Sequence, residues 1–100
     1  MKINITNSCV RWNEKEVEYR DLIVLRFPHD SNDIGYYIVS MVNEGQKGLI
    51  SLEHGIRLDT NNYKGYTRQE LIDYLNNLSW IEVIEYIPGD DFEITLNRRW

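Results

Sequence analysis

The strands predicted for this chain are apolar on both faces, yet the sequence offers a single helix to cover them. In the segment 36–42, neighbouring residues such as Ile38 and Val39 point to opposite sides of the sheet, and the segment 80–87 has the same two-sided pattern. A helix of about three turns covers only part of one sheet face. The second face must therefore fold onto itself, meet extra strands, dimerise or bind a partner.

Beta-type sequence dominates the chain, with runs rich in Ile, Val, Tyr and Phe separated by Asn, Asp, Gly and Pro. The predicted strands are 2–6, 9–12, 16–27 (bent or broken around Asp21), 36–43, 47–53, 80–87 and 92–97. Turn-forming stretches such as NEGQKG and IPGDD separate them. Most neighbouring strands are therefore expected to pair as antiparallel hairpins.

The helical pattern lies in the stretch YTRQELIDYLNNL. Thr67 and Glu70 have the spacing of a capping box, in which side chains satisfy free amide groups at the start of a helix. Leu71 and Leu75 recur at helical spacing and form an apolar stripe. We predict a two-layer α+β fold, in which a curled antiparallel sheet of about five to six strands carries one helix, about 67–78, on one face.

Length and cysteine content limit the class of protein. One hundred residues fit one domain, 1–100. The single cysteine, Cys9, has no internal disulfide partner, and the first residues lack the apolar segment of a signal peptide. No apolar run is long enough to span a bilayer. We expect a cytoplasmic protein without membrane association.

Sequence patterns typical of catalytic or metal sites do not occur. His29 and His54 lie in different segments and lack the helical spacing of a metal-binding pair. Asp90 and Asp91 belong to the turn PGDD, whose composition is explained by turn chemistry. We therefore predict a protein that is not an enzyme, with no catalytic residue, no metal site and no cofactor. A small enzyme whose site assembles from dispersed residues stays open as an alternative.

Charge is distributed unevenly along the chain. Between Arg68 and Arg98 there is no lysine or arginine, and aromatic residues are interleaved with carboxylates. The predicted partner-binding residues in this region are Glu70, Asp73, Trp80, Glu82, Glu85, Tyr86, Asp90, Asp91 and Glu93. The alternative interpretation is a solvated acidic face that keeps the protein soluble.

The formal net charge of −5 favours a basic protein partner over nucleic acid, because an acidic surface repels phosphate groups. In general character, this small, acidic, aromatic-rich chain is similar to bacterial toxin-immunity proteins and to phage-encoded anti-CRISPR or other anti-defence inhibitors. The similarity is one of composition and involves no motif. It implies an inhibitor of a basic, nucleic-acid-handling protein. Homodimerisation through the second apolar face stays open.

A rival hypothesis is a small nucleic-acid-binding beta domain. Its basis is a group of basic and aromatic residues, Arg11, Trp12, Lys15, Tyr19, Arg20 and Arg26, joined by Arg98, Arg99 and Trp100. Acidic residues, including Glu14 and Glu16, are interspersed among them. This hypothesis therefore ranks below the hypothesis of an acidic surface that binds a basic protein.

Overall fold

The computed structural model describes residues 11–89. Its regular elements are a 3-10 helix at Trp12–Glu14, strands β1 (Leu22–Phe27), β2 (Asp33–Asn43), β3 (Gln46–Ser51) and β4 (Glu82–Ile87), and helix α1 (Arg68–Asn76). The four strands pair antiparallel in the order β3-β2-β1-β4, and the described sheet is not closed. The predicted α+β class with one antiparallel sheet and one helix is confirmed. The described sheet has fewer strands than the predicted five to six.

A turn interrupts the predicted strand 16–27, which pairs as a regular strand only from Leu22. The amide of Asp21 donates to the carbonyl oxygen of Glu18 at 3.1 Å. Arg20, between them, adopts a positive φ of 78°. Such a conformation belongs to turns, because a strand requires extended backbone. The break predicted around Asp21 is therefore present.

Other strand boundaries also differ from the prediction. Trp12 begins a 3-10 helix, although the sequence predicted that it would end a strand. Strand β2 begins at Asp33, earlier than the predicted start at 36. The predicted strands 2–6 and 92–97 lie outside the described residues.

The helix begins where its capping box predicts. The amide of Glu70 donates to the Thr67 hydroxyl at 3.1 Å, and the amide of Thr67 donates to the Glu70 carboxylate at 2.9 Å. Two amides without partners inside the helix are thereby satisfied. Among residues 11–89, no helix has the length and apolar character that a membrane span requires.

The inner face of the sheet, defined as the one that α1 covers, contains the core. Ile23 and Leu25 of β1 are fully buried together with Leu71 and Leu75 of α1. The same cluster includes Val17, Val39, Leu49, Tyr63, Ile81 and Tyr86. Burial of each large apolar side chain stabilises the fold by about 1.5–3 kcal/mol. This cluster therefore fixes the helix on the sheet.

The segment 56–63 covers the free edge of β3. The amide of Leu58 donates to the carbonyl oxygen of Leu49 at 2.8 Å, and the amide of Tyr63 donates to that of Lys47 at 2.9 Å. Chain segments that pair in this way protect a sheet edge from association with other strands.

A buried carboxylate joins the chain segments at the start of α1. Asp21 accepts hydrogen bonds from the Glu18 amide (3.0 Å), Arg68 Nε (2.9 Å), Arg68 Nη2 (3.0 Å), the Tyr86 hydroxyl (2.6 Å) and the Gly89 amide (2.8 Å). Each carboxylate oxygen accepts from Arg68 and from at least one further group. The buried charge is thus compensated by a cation and by neutral donors.

Candidate functional site

The sheet face opposite α1, called the outer face below, exposes large apolar side chains. The exposed fraction is 41% for Ile34, 52% for Tyr36, 54% for Leu52 and 41% for Ile84. Soluble domains rarely expose a large contiguous apolar patch unless it binds something. The outer face is therefore the best candidate for a functional surface among the described residues.

Strand register places Tyr36 in a row that crosses the sheet, whereas Ile34 lies in the neighbouring row, opposite Arg26. Tyr36 of β2 is opposite Val24 of β1, and Val24 is opposite Glu85 of β4. Just beyond β3, the amide of Leu52 donates to the carbonyl oxygen of Tyr36 at 2.9 Å. Directly opposite side chains on one sheet face lie about 4.5–5.5 Å apart at Cβ. The row therefore crosses the whole sheet; Tyr36 and Leu52 are exposed in it, whereas Val24 is only 7% exposed.

A second apolar row lies beside the first. Ile38 of β2 is opposite Leu22 of β1 and Ile50 of β3. All three side chains are partly buried. They lie beside Tyr36 and Val24 and add partly exposed aliphatic surface to the outer face.

A β-bulge gives Ile84 its exposure. The pairing of β1 with β4 shifts between Val24 and Leu25, so that Val24 is opposite Glu85 whereas Leu25 is opposite Val83. Ile84 is the extra residue in β4, and bulges of this kind redirect side chains and often occur near functional sites. At this bulge, the consecutive residues Ile84 and Glu85 are both exposed.

An open depression of about 520 Å³ lies beside Tyr36. Its lining residues are Asp33, Ile34, Tyr36, Leu52 and Glu53. The depression therefore combines two aliphatic side chains and an aromatic ring with two acidic residues. Its volume is within the range of cavities that hold small ligands or protruding side chains.

Carboxylates flank the apolar rows on both sides. Glu82 and Glu85 lie on β4, and Asp33 and Glu53 lie at the depression. Arg26 Nη1 is 3.6 Å from a carboxylate oxygen of Glu82, and both side chains are substantially exposed. An exposed pair of this kind contributes about 0–1 kcal/mol. The rim of the outer face thus carries more negative than positive charge.

The predicted acidic surface is divided between two layers of the fold. Glu70 and Asp73 lie on α1, which packs against the inner face. Glu82 and Glu85 are opposite Arg26 and Val24, whose side chains belong to the outer face. Strand alternation therefore turns these two glutamates away from the helix.

The two predicted aromatic contacts occupy different environments. Trp80 is exposed, and its ring stacks on that of Phe27 with 6.2 Å between centroids. Tyr86 is only 9% exposed, and its hydroxyl donates to Asp21 in the interior. Tyr86 is therefore a core residue. The predicted residues Asp90, Asp91 and Glu93 lie outside the described residues.

Sequence reasoning did not identify Ile34, Leu52 or the depression. It did indicate a second apolar face, which includes Tyr36. Two-residue alternation shows that a strand has two apolar sides, but not which side the helix covers. The identity of the exposed side depends on contacts between distant segments.

The alternative sites find limited support in the described part of the chain. Across residues 11–89, no three His, Cys, Asp or Glu side chains are grouped to share a metal ion. Trp12 of the basic and aromatic group packs against Tyr86 of the inner face at 5.5 Å between ring centroids. Arg26 of the same group lies on the outer face. These two members do not share one surface.

Comparison with protein-family models, with curated proteins and with solved structures found no match to this chain. Its function is therefore inferred from the chemistry of the outer face.

Proposed function

We propose that this protein is a non-enzymatic inhibitor that binds a basic, nucleic-acid-handling protein through its outer face. The supporting observation is the cluster of exposed apolar side chains at Ile34, Tyr36 and Leu52, with carboxylates on both sides of the outer face. Aromatic and apolar contacts supply much of the affinity at protein interfaces, whereas surrounding charges guide encounter and partner choice. Proteins that handle nucleic acid carry basic surfaces and so complement this arrangement.

Glu82 and Glu85 are the predicted binding residues that the proposal places at the interface. Both are exposed on β4, and Glu85 adjoins the exposed Ile84. Their attraction for a basic surface extends over a screening length of about 8 Å at physiological salt. Glu70 and Asp73 lie on α1 and are expected to contribute less to this encounter.

A second copy of this chain is a less suitable partner for the outer face than a basic protein. Two sheets packed face to face with aligned strands are related by a two-fold axis either along or across the strands. With the axis along the strands, Glu82 and Glu85 of one copy lie over the side of the other copy that carries Glu53. With the axis across the strands, the β4 carboxylates of the two copies lie over each other. Both arrangements bring like charges together, which opposes association.

Matched charge reversals on the two layers test the proposal. Glu85→Lys alters the outer face, and Asp73→Lys makes the same change on α1. After capture of a basic partner with the unaltered protein, we expect Glu85→Lys to slow association at low salt about ten-fold, because charge acts mainly on encounter rates. Asp73→Lys should have less than about a two-fold effect. Surface plasmon resonance at two salt concentrations measures both rates.

Inhibition is measured as the partner's activity on nucleic acid with and without the protein. We expect the unaltered protein to inhibit and Glu85→Lys to inhibit less at equal concentration. Equal slowing by both charge reversals would attribute association to net charge and remove the outer face from the mechanism. Saturable binding of nucleic acid by the protein alone, measured by fluorescence anisotropy, would favour the nucleic-acid-binding alternative.

A further inference from the structure

The depression beside Tyr36 has a chemical character more specific than that of the surrounding outer face. Ile34 and Leu52 supply aliphatic surface, Tyr36 supplies an aromatic ring, and Asp33 and Glu53 supply negative charge. None of these five lining residues is a cation. A group that uses all three features must be partly aliphatic and positively charged.

We infer that this depression is an anchor site for an arginine side chain of the basic partner. The inference rests on the proposed function, because it names the group by which that partner is held. Arginine has an aliphatic stem that packs on apolar surface and a planar cation that stacks on aromatic rings. The stem matches Ile34 and Leu52, and the planar cation matches Tyr36 and the nearby carboxylates.

The aromatic ring and both carboxylates are available to a ligand. Tyr36 is about half exposed, and a cation within about 6 Å of such a ring is attracted by its π-electrons. Within residues 11–89, the Asp33 carboxylate makes no hydrogen bond or ion pair. Glu53 is largely exposed and lies 3.7 Å from His54 Nε2, a contact that is ionic only when the imidazole is protonated.

The charge of Asp33 also acts on its surroundings. Burial, together with the nearby Asp33 carboxylate, raises the pKa of the Tyr37 hydroxyl. Tyr37 is opposite Ile23 and lies on the inner face, so the Asp33 carboxylate is at the boundary between that face and the depression.

Other occupants fit less well. An anion is repelled by both carboxylates. An aliphatic side chain contacts the apolar lining residues, but it removes water from the carboxylates without supplying a cation or a hydrogen-bond donor. Lysine supplies charge but no plane to stack on Tyr36. The three features together therefore favour arginine.

An NMR titration of the complete chain with N-acetyl-arginine amide tests the anchor site without any partner. N-acetyl-citrulline amide is the matched probe, because it keeps the shape and planarity of the arginine derivative but has no charge. We expect the arginine probe to shift the amide signals of Asp33, Ile34, Tyr36, Leu52 and Glu53 in a saturable manner. Citrulline amide should bind about five-fold more weakly, the size expected for an exposed cation–π contact.

A double variant, Asp33→Asn with Glu53→Gln, should abolish the preference for arginine over citrulline. The control Glu44→Gln with Asp73→Asn removes two exposed carboxylates elsewhere and should retain that preference. Circular dichroism confirms that each variant is folded. Equal affinity for the two probes, a lysine derivative that binds as tightly as arginine, or signal changes centred on Glu82 and Glu85 would overturn the assignment.

Failure of the anchor site is distinguishable from failure of the proposed function. If Glu85→Lys slows association with the basic partner but the arginine probe does not bind, the proposed function stands and the anchor site is rejected. If the probe binds in the depression but Glu85→Lys and Asp73→Lys behave alike, the depression binds arginine but the proposed function is rejected.

Discussion

Arg68 and Asp21 form an ion pair with two parallel contacts in the interior of the protein. Arg68 Nε lies 2.9 Å from Asp21 Oδ2, and Arg68 Nη2 lies 3.0 Å from Asp21 Oδ1. The two side chains are 4% and 0% exposed, respectively. Arg68 is the first residue of α1, and Asp21 immediately precedes β1. The pair therefore fixes the start of the helix on the sheet.

Replacement of one member of this pair should be strongly destabilising. We expect Asp21→Asn to lower the free energy of unfolding by about 3–5 kcal/mol, because the buried Arg68 cation keeps only the exposed Glu18 carboxylate, 3.7 Å from its Nη2, as a counter-charge. The measurement is urea unfolding followed by circular dichroism. Asp73→Asn, on the exposed side of α1, should change stability by less than about 0.5 kcal/mol. A loss below 1 kcal/mol for Asp21→Asn would contradict a buried, charged pair.

The helix cap makes a smaller contribution to the free energy of unfolding, which can be measured separately. Thr67→Ala should lower the free energy of unfolding by about 1 kcal/mol, because the Glu70 amide loses its acceptor. Thr67→Ser keeps a hydroxyl and should restore most of that loss. An unchanged urea midpoint for Thr67→Ala would indicate that the cap does not contribute to helix stability.

Two buried tyrosines predict instability at high pH. Burial, followed by hydrogen bonding to Asp59 and Asp21 respectively, raises the pKa of Tyr63 and Tyr86. In the unfolded chain a phenol ionises near pH 10. The native state keeps its protons above that pH, so this contribution to stability is complete below about pH 10 and is lost as the pH rises. The loss is about 1.4 kcal/mol per pH unit for each phenol.

Urea midpoints between pH 8 and pH 11 measure this dependence. Tyr86→Phe removes one of the two phenols and should reduce the slope, although the lost hydrogen bond to Asp21 lowers stability at every pH. The same slope in Tyr86→Phe and in the unaltered protein would show that this phenol ionises normally in the native state.

The fold should tolerate polar substitutions on the outer face with little loss of stability. Leu52→Ser and Ile84→Ser should each change the free energy of unfolding by less than about 1 kcal/mol, because both side chains are exposed. Both should also reduce binding of a hydrophobic dye, since they shrink the apolar patch. Leu25→Ala, in the fully buried core, should cost about 2–5 kcal/mol. Serine variants as unstable as Leu25→Ala would mean that the outer face is covered.

The parts of the fold that depend on neighbouring residues could be predicted from the sequence. Thr67 and Glu70 are three positions apart, so their capping box is visible as a local pattern and gave the start of α1 correctly. The strands β2, β3 and β4 were found at nearly their observed positions because runs of β-branched and aromatic residues end at turn residues.

Features that depend on distant contacts could not be predicted. The acidic segment was expected to form one surface, but strand register and the bulge at Ile84 place Glu82 and Glu85 on the face opposite the helix. Tyr86 was expected among the binding residues, but it packs inward because its hydroxyl meets Asp21, which is 65 positions away. Neither the strand register nor the contact with Asp21 can be recognised from neighbouring residues in the sequence.

The hydrogen bonds of Asp21 bear on how the chain reaches its native state. They join Asp21 to Arg68, Tyr86 and Gly89 across separations of 47, 65 and 68 positions. Loop closure over such distances costs entropy before any of these bonds forms. The network is therefore expected to assemble late, after the transition state for folding. Interactions that form late slow unfolding more than they accelerate folding, so Asp21 should act mainly by prolonging the lifetime of the native protein.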